Sequence, residues 1–188
     1  MKKVLILAYD FPPYVSVGGL RPYAWFKYLS QFGIYPIVIT RQWKTEFGNE
    51  LDYISEGISA EDIHEKFEYG EIIRTPYKPN LSNRILLTHG EFRYRFLRKL
   101  ITGYFEFFQF IFRIGPKKHI YHGAFNYLKK NKIDSIVATG DPFVLFKYAS
   151  VLSEKFNIPW IADYRDPWSQ DIPIQKKYIL KWWSNYNE

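Results

Sequence analysis

The stretch from Val4 to Thr40 constrains the fold most. Val4-Leu5-Ile6-Leu7-Ala8 is a continuous apolar run closed by Asp10 and Pro12-Pro13, which is how a strand buried on both faces of a parallel sheet reads. After Gly18-Gly19, the apolar residues Leu20, Ala24, Phe26, Leu29 and Phe32 recur at helical spacing. Pro22 falls in the first turn, where proline is tolerated, and Gly33 stands where a C-terminal cap belongs. Pro36-Ile37-Val38-Ile39-Thr40 is β-branched and apolar and predicts a second strand. Strand, glycine turn, helix and strand form a βαβ unit, whose crossover is right-handed in nearly all known cases.

The same rhythm returns in the second half of the chain. The pattern predicts a helix over 119–130, a strand over 134–139, a helix over 143–156 and a strand over 159–163. A third strand of the first half is expected within Glu71 to Thr75. Residues 41–68 carry acidic side chains at 46, 50, 52, 56, 61, 62, 65 and 68 and read as an irregular, mobile surface excursion. Alternating strands and helices imply an α/β domain, a Rossmann-like parallel sheet with helices on both faces. A length of 188 residues suits one such domain. The amphipathic stretch from Lys177 to Glu188 reads as a helix cut short.

Cysteine is absent, which excludes a disulfide framework and thiolate chemistry and fits a reducing cytoplasm. The apolar run behind Met1-Lys2-Lys3 is too short for a signal-peptide core. The four histidines, at 64, 89, 119 and 122, show no metal-ligand spacing, so no metal and no resident cofactor is expected. Gly18-Gly19 lacks the Gly-x-Gly-x-x-Gly spacing of a dinucleotide fingerprint, which argues against a nicotinamide site.

Ligands of open parallel sheets bind beyond the carboxyl ends of the strands, where strand order reverses. That rule selects three loops: Tyr9 to Arg21, Thr139-Gly140-Asp141-Pro142, and Asp163-Tyr164-Arg165-Asp166-Pro167-Trp168. Glycines directly before a helix can bring backbone N–H groups against a phosphate. They also serve a tight turn with no ligand at all. Asp163, Arg165 and Asp166 put three charges into four positions at a strand mouth; both a reactive site and a local capping or ion-pair role fit them. Asp141 before Pro142 has the form of a helix N-cap.

Taken together, Tyr9-Asp10-Phe11-Pro12-Pro13, Gly18-Gly19, Arg21, the helix ending at Gly33, the strand to Thr40, and Ile158-Pro159-Trp160-Ile161-Ala162-Asp163-Tyr164-Arg165-Asp166-Pro167-Trp168 resemble the N-terminal domain of family four glycosyltransferases of the GT-B fold, closest to members of bacterial surface-polysaccharide pathways. Residues 41–118 carry little of this likeness. The resemblance implies retaining transfer of a sugar from a nucleotide diphosphate sugar to a glycan or lipid-linked acceptor. It implies that Gly18 and Gly19 lie against the donor diphosphate and that Arg165, Asp166 and Asp163 lie near the reacting sugar. Tyr14, Arg21 and Asp141 are then expected on the acceptor side of the cleft. The family's donor-binding C-terminal domain has no counterpart before Glu188, so the 188 residues alone are expected to be inactive. Relatives often place a histidine near the later loop; none follows His122 here, so no histidine role carries over. A non-catalytic Rossmann-type sugar- or nucleotide-binding domain and a membrane-surface interaction domain are the alternative readings, and fold alone does not separate the three.

Net charge is +7 and aromatic residues make up 20% of the chain. From Arg84 to His119 eight Lys or Arg face only Glu91 and Glu106, so nearly all the excess lies in one segment. Within it, Phe92, Phe96, Leu100, Tyr104, Phe108 and Phe112 recur every fourth residue, and one helix would set them apart from Arg95, Lys99, Thr102, Glu106, Gln109 and Arg113. The apolar run is too short to span a bilayer. Two readings fit: the aromatic face packs on the sheet, or it meets an anionic membrane through Arg95, Arg98, Lys99, Phe105, Phe108 and Phe112. The second implies a cytoplasmic protein peripheral to the inner face of the plasma membrane. Nucleic acid is not an expected partner, because no recognition-fold signature surrounds the basic residues.

Overall fold

A computed structural model of the chain describes residues 1–44 and 51–164. Six strands form one sheet: β1 (Lys2–Leu7), β2 (Ile34–Arg41), β3 (Ile63–Phe67), β4 (Gly70–Thr75), β5 (Ser135–Thr139) and β6 (Trp160–Asp163), in the order β3-β4-β2-β1-β5-β6. All neighbours pair parallel except β3 with β4. The helices are α1 (Val17–Tyr28), α2 (Leu81–His89), α3 (Arg95–Phe108), α4 (Lys118–Leu128) and α5 (Val144–Phe156). This is a Rossmann-like α/β fold. Successive parallel strands step outward from β1 through β2 to β4, then return to its other edge at β5 and β6, so the order reverses between β1 and β5.

The period-two alternation of a strand divides the core between the two faces. Val4, Ile6 and Ala8 of the first strand and its end join Val38 and Ile72 beneath Phe26 of α1 and Phe11. Leu5, Leu7 and Tyr9 point the other way, with Ile37, Ile39, Ile73, Ile136 and Ala138, onto Ile120, Ala124 and Leu128 of α4 and Leu145, Ala149 and Leu152 of α5. Each such aliphatic side chain withdrawn from water contributes about 1.5–3 kcal/mol, more than an exposed ion pair supplies. Gly33 caps the first crossover as read: α1 tightens into a 3-10 turn over Leu29–Phe32 and ends on Gly33 at φ 74°, a left-handed conformation that glycine adopts without Cβ penalty.

Three expectations need correction. Residues 41–68 are not wholly irregular: Asp52–Ile54 form a 3-10 turn, and Ile63–Phe67 form the antiparallel edge strand β3. Gln42, fully buried, donates from its amide to the Glu61 carbonyl (2.7 Å) and accepts from the Ser59 N–H (2.6 Å), so the described part of the excursion is stitched to the sheet. Second, the aromatic segment is not one helix from Phe92 to Phe112: α3 covers Arg95–Phe108, and both end residues lie outside it. Third, Asp141 is not the N-cap of α5; that position belongs to Phe143, without a side-chain bond.

The closest crossing of helix on sheet is at Gly123 of α4. A Cβ there would come within 2.5 Å of Thr75 Cγ2, and Thr75 is fully buried with its hydroxyl donating to the Thr40 carbonyl (3.0 Å). Gly123→Ala is therefore expected to destabilise the protein despite alanine's helix propensity advantage of about 1 kcal/mol, since overpacking costs about 1–3 kcal/mol. Urea unfolding measures the change, and a stabilised Gly123→Ala protein would contradict this packing.

Candidate functional site at the carboxyl rim of the sheet

The loop after β1 is closed by side chains. Ser16 caps α1, accepting from the Gly19 N–H (3.0 Å), and its hydroxyl donates to Asp10 Oδ2 (2.8 Å). Arg74 of β4 reaches across to donate to the Pro12 carbonyl while pairing with Glu65 of β3. Gly18 and Gly19 sit inside the first turn of α1 rather than ahead of it, a correction to the sequence reading. The N–H groups of Val17 and Gly18 lie in that turn, where no intrahelical acceptor exists, and the helix dipole favours an anion there. Asp10, hydrogen-bonded to the cap, opposes such an anion. Gly19 is buried against Asp10 and Phe11 backbone atoms at 3.5 Å from where a Cβ would stand, ordinary contact, so neither a clash nor a positive φ demands glycine at that position.

Asp163, the last residue of β6, joins all three predicted loops. Its carboxylate accepts from Arg21 Nη1 of α1 at 2.6 Å. Its carbonyl accepts from the Gly140 N–H at 3.1 Å, beside the Thr139–Asp163 register of β5 and β6. The Asp163 side chain is 18% exposed and that of Arg21 45%, so the pair sits at the surface of the rim. Arg165 and Asp166 lie outside the described residues. Asp141 acts electrostatically toward the second half of the rim, where its charge and that of Asp10 add to the burial that keeps the Tyr53 hydroxyl protonated far above its ordinary range.

A fourth group, centred on Arg41 at the end of β2, completes the rim. The Arg41 guanidinium is 1% exposed and lies between the Trp43 ring (3.9 Å) and the Tyr77 ring (3.4 Å). It donates to the Tyr9 hydroxyl (3.1 Å) and to the carbonyls of Tyr53 (2.7 Å), Ser55 (3.0 Å) and Gln42 (3.0 Å). Among the described residues it forms no ion pair; carbonyls and aromatic faces take its charge. Tyr14 stacks flat on Trp43 at 4.0 Å and 9°. Burial first, and then Asp10, raise the Tyr14 hydroxyl above its ordinary pKa; burial does the same for Tyr9, against the opposing pull of Arg41. The rim thus offers the Tyr14 and Tyr53 phenols as donors, carboxylates as acceptors and the half-buried Tyr14 ring backed by the buried Trp43, a set suited to a polyhydroxylated ligand. The sequence reading passed over this group, although Arg41-Gln42-Trp43 directly follows a predicted strand and the strand-end rule would have selected it.

Of the residues expected at the site, the structure brings Tyr14, Gly18, Gly19, Arg21, Asp141 and Asp163 to this one rim. The membrane candidates lie elsewhere, on and just beyond α3: Arg95 and Lys99 are exposed, Phe105 and Phe108 half-buried, and Phe112 exposed. No described helix is long and apolar enough to cross a membrane, and among the described residues no group of three or more His, Asp or Glu could hold a metal ion. Compared with protein-family models and with curated proteins, the chain matches none. What fold and geometry define is a Rossmann-like α/β domain with a polar, aromatic rim at its topological switch point.

The two arginines of the rim differ in what they hold. Arg41→Leu would strip charge-assisted bonds from buried carbonyls and is expected to cost about 1.5–3 kcal/mol or more, with a change in tryptophan emission as the Tyr14–Trp43 stack loosens. Arg21→Ala removes a surface pair and is expected to cost less than about 1 kcal/mol. Denaturant melts of the two proteins check the order, and equal losses would contradict it.

Proposed function

We propose that this chain is the acceptor-side half of a two-domain, retaining GT-B glycosyltransferase that moves a sugar from a nucleotide diphosphate sugar to a glycan or lipid-linked acceptor in cell-surface polysaccharide synthesis. One observation carries the reading: Asp163 bonds Arg21 through its carboxylate and Gly140 through its carbonyl. Through it, the two loops that bear the family-like motifs meet, together with the Thr139–Pro142 loop, at one edge, where Rossmann-like sheets bind ligands.

The chemistry explains what each part contributes. A departing nucleoside diphosphate builds negative charge on its leaving oxygen, and fixed N–H groups and cations aimed at that charge supply the largest catalytic contribution. The first-turn N–H groups of Val17 and Gly18, which have no acceptor within the helix, offer part of it. The carboxylate of Asp10 at the same helix end subtracts from it, so the main diphosphate clamp belongs to a donor-binding domain outside these 188 residues. On the acceptor side, Tyr14 and Tyr53 donate hydrogen bonds, Asp10 and Asp141 accept them, and the half-buried Tyr14 ring, backed by the buried Trp43, covers an apolar sugar face. Arg165 and Asp166, two and three residues beyond Asp163, are the groups proposed to lie beside the reacting sugar.

Two assays test this. The 188-residue chain, given nucleotide diphosphate sugars, is expected to show neither transfer nor multiple-turnover hydrolysis. In a protein carrying both halves, Arg165→Ala and Asp166→Asn are expected to lower kcat at least about a hundredfold, the scale of losing one preorganised charge-stabilising group, with thermal stability unchanged. Sustained turnover by the single domain, or unaltered rates in both variants, would contradict the proposal.

A further inference from the structure

Amphipathic helices in a globular domain turn their apolar side inward; α3 does the reverse. Its packing partner is α2, and the contact is polar: the Ser82 hydroxyl, on a residue only 4% exposed, lies 2.9 Å from Thr102 Oγ1 and donates to the Arg98 carbonyl at 3.2 Å. Arg98 in turn donates to the Glu91 carbonyl at 2.7 Å. The opposite side of the helix carries Phe96, 76% exposed, with Leu97, Leu100 and Tyr104 following at helical spacing and all exposed. No residue of α3 is buried. A continuous apolar surface of this kind marks a contact site.

Charge identifies what covers it. The stretch from Arg84 to His119 holds eight Lys or Arg against two Glu. Lys117 and Arg113 of this stretch are engaged by Glu106 and the Tyr121 hydroxyl, whereas Arg95 and Lys99 are exposed on α3 itself, and an anionic lipid surface gains about 1 kcal/mol for each Lys or Arg near it. Arg95 and Lys99 line, with Glu91, Arg98 and Thr102, an open cavity of about 330 Å³ on the polar side of the helix, where lipid phosphates would meet the cations. The 14 residues of α3 extend about 21 Å at 1.5 Å per residue, short of a bilayer core of about 30 Å. Phenylalanine and tyrosine on one face and lysine and arginine beside them is the composition of a helix that lies in the headgroup plane.

We infer that α3 docks this protein on anionic membranes, with Phe96, Leu100 and Tyr104 toward the acyl chains and Arg95 and Lys99 at the phosphates. The inference does not depend on the transferase reading, since lipid binding by the 188-residue chain survives failure of the sugar-nucleotide assays. The docking helix is nevertheless tied to the rim: α2 is linked through Asn83, which donates to the Tyr77 hydroxyl at 3.3 Å, and Tyr77 covers Arg41.

Co-sedimentation with vesicles of phosphatidylcholine alone and of phosphatidylcholine with phosphatidylglycerol tests it. Binding is expected to be more than about tenfold tighter with phosphatidylglycerol and to weaken as salt rises. Inorganic phosphate at matched charge is expected not to displace the protein. Phe96→Ser with Leu100→Ser is expected to abolish binding, and because both side chains are exposed the circular dichroism spectrum is expected to stay unchanged. Since the chain has no cysteine, Leu100→Cys labelled with a polarity-sensitive dye gives a second readout, blue-shifted on anionic vesicles. Indifference to phosphatidylglycerol, no dye shift on binding, or an equilibrium dimer that dissociates in the Phe96→Ser, Leu100→Ser protein would each overturn the inference; the dimer would assign the face to a second copy.

Discussion

The parallel pairing of β1 on both of its edges is the constraint from which the rim follows. Because β2 and β5 both run alongside β1 in its own direction, the chain leaves the end of each strand on the same side of the sheet. Because they lie on opposite edges, the crossovers depart to opposite faces, and a crevice opens between the ends of β1 and β5. Fully buried Leu5, Ile6 and Leu7 tie that arrangement to both layers of the core at once. A slip of one residue in β1 would exchange those layers and bury nothing correctly.

Around that crevice the side chains perform two tasks. Ser16, Asp10, Arg74 and Asp163 hold backbone in place: the first turn of α1, the Pro12 carbonyl and the Gly140 N–H are all fixed by named bonds. Arg41 holds side chains, spacing Trp43, Tyr77 and Tyr9 around a buried cation and pinning the carbonyls of Tyr53 and Ser55. The result is a surface whose groups are preset in position, which lowers the ordering cost of binding. The α2–α3 arm leaves the sheet at the same edge, after β4, so the proposed lipid-facing helix and the rim belong to one connected part of the molecule.

Much of this was legible in the residues. The βαβ unit of Val4 to Thr40, the later strands and the left-handed cap at Gly33 follow from apolar runs and glycine placement, which local chemistry dictates. The edge strand β3 was not legible, because Ile63-His64-Glu65-Lys66-Phe67 has the polarity of a loop; it is a strand because its backbone pairs antiparallel with β4 from Ile63–Arg74 to Phe67–Gly70, with Glu65 meeting Arg74 across the pair. Arg41 is not marked by the sequence, because an arginine held by rings and carbonyls reads there as a surface charge; only the folded chain shows the groups that receive it. The orientation of α3 was equally hidden. Periodicity separates two faces of a helix but does not say which one turns inward, and the polar contact of Ser82 with Thr102 decided that.

Ligand chemistry in this protein is proposed to belong to the carboxyl rim between β1 and β5. Amide chemical-shift mapping of the 188-residue chain with a nucleoside diphosphate and with a nucleotide diphosphate sugar, each raised to millimolar concentration, tests it most directly. The largest shifts are expected at Val17, Gly18 and Arg21 of α1, at Gly140, and at Asp163. Shifts confined to the opposite edge of the sheet, or an unperturbed spectrum with both ligands, would contradict it.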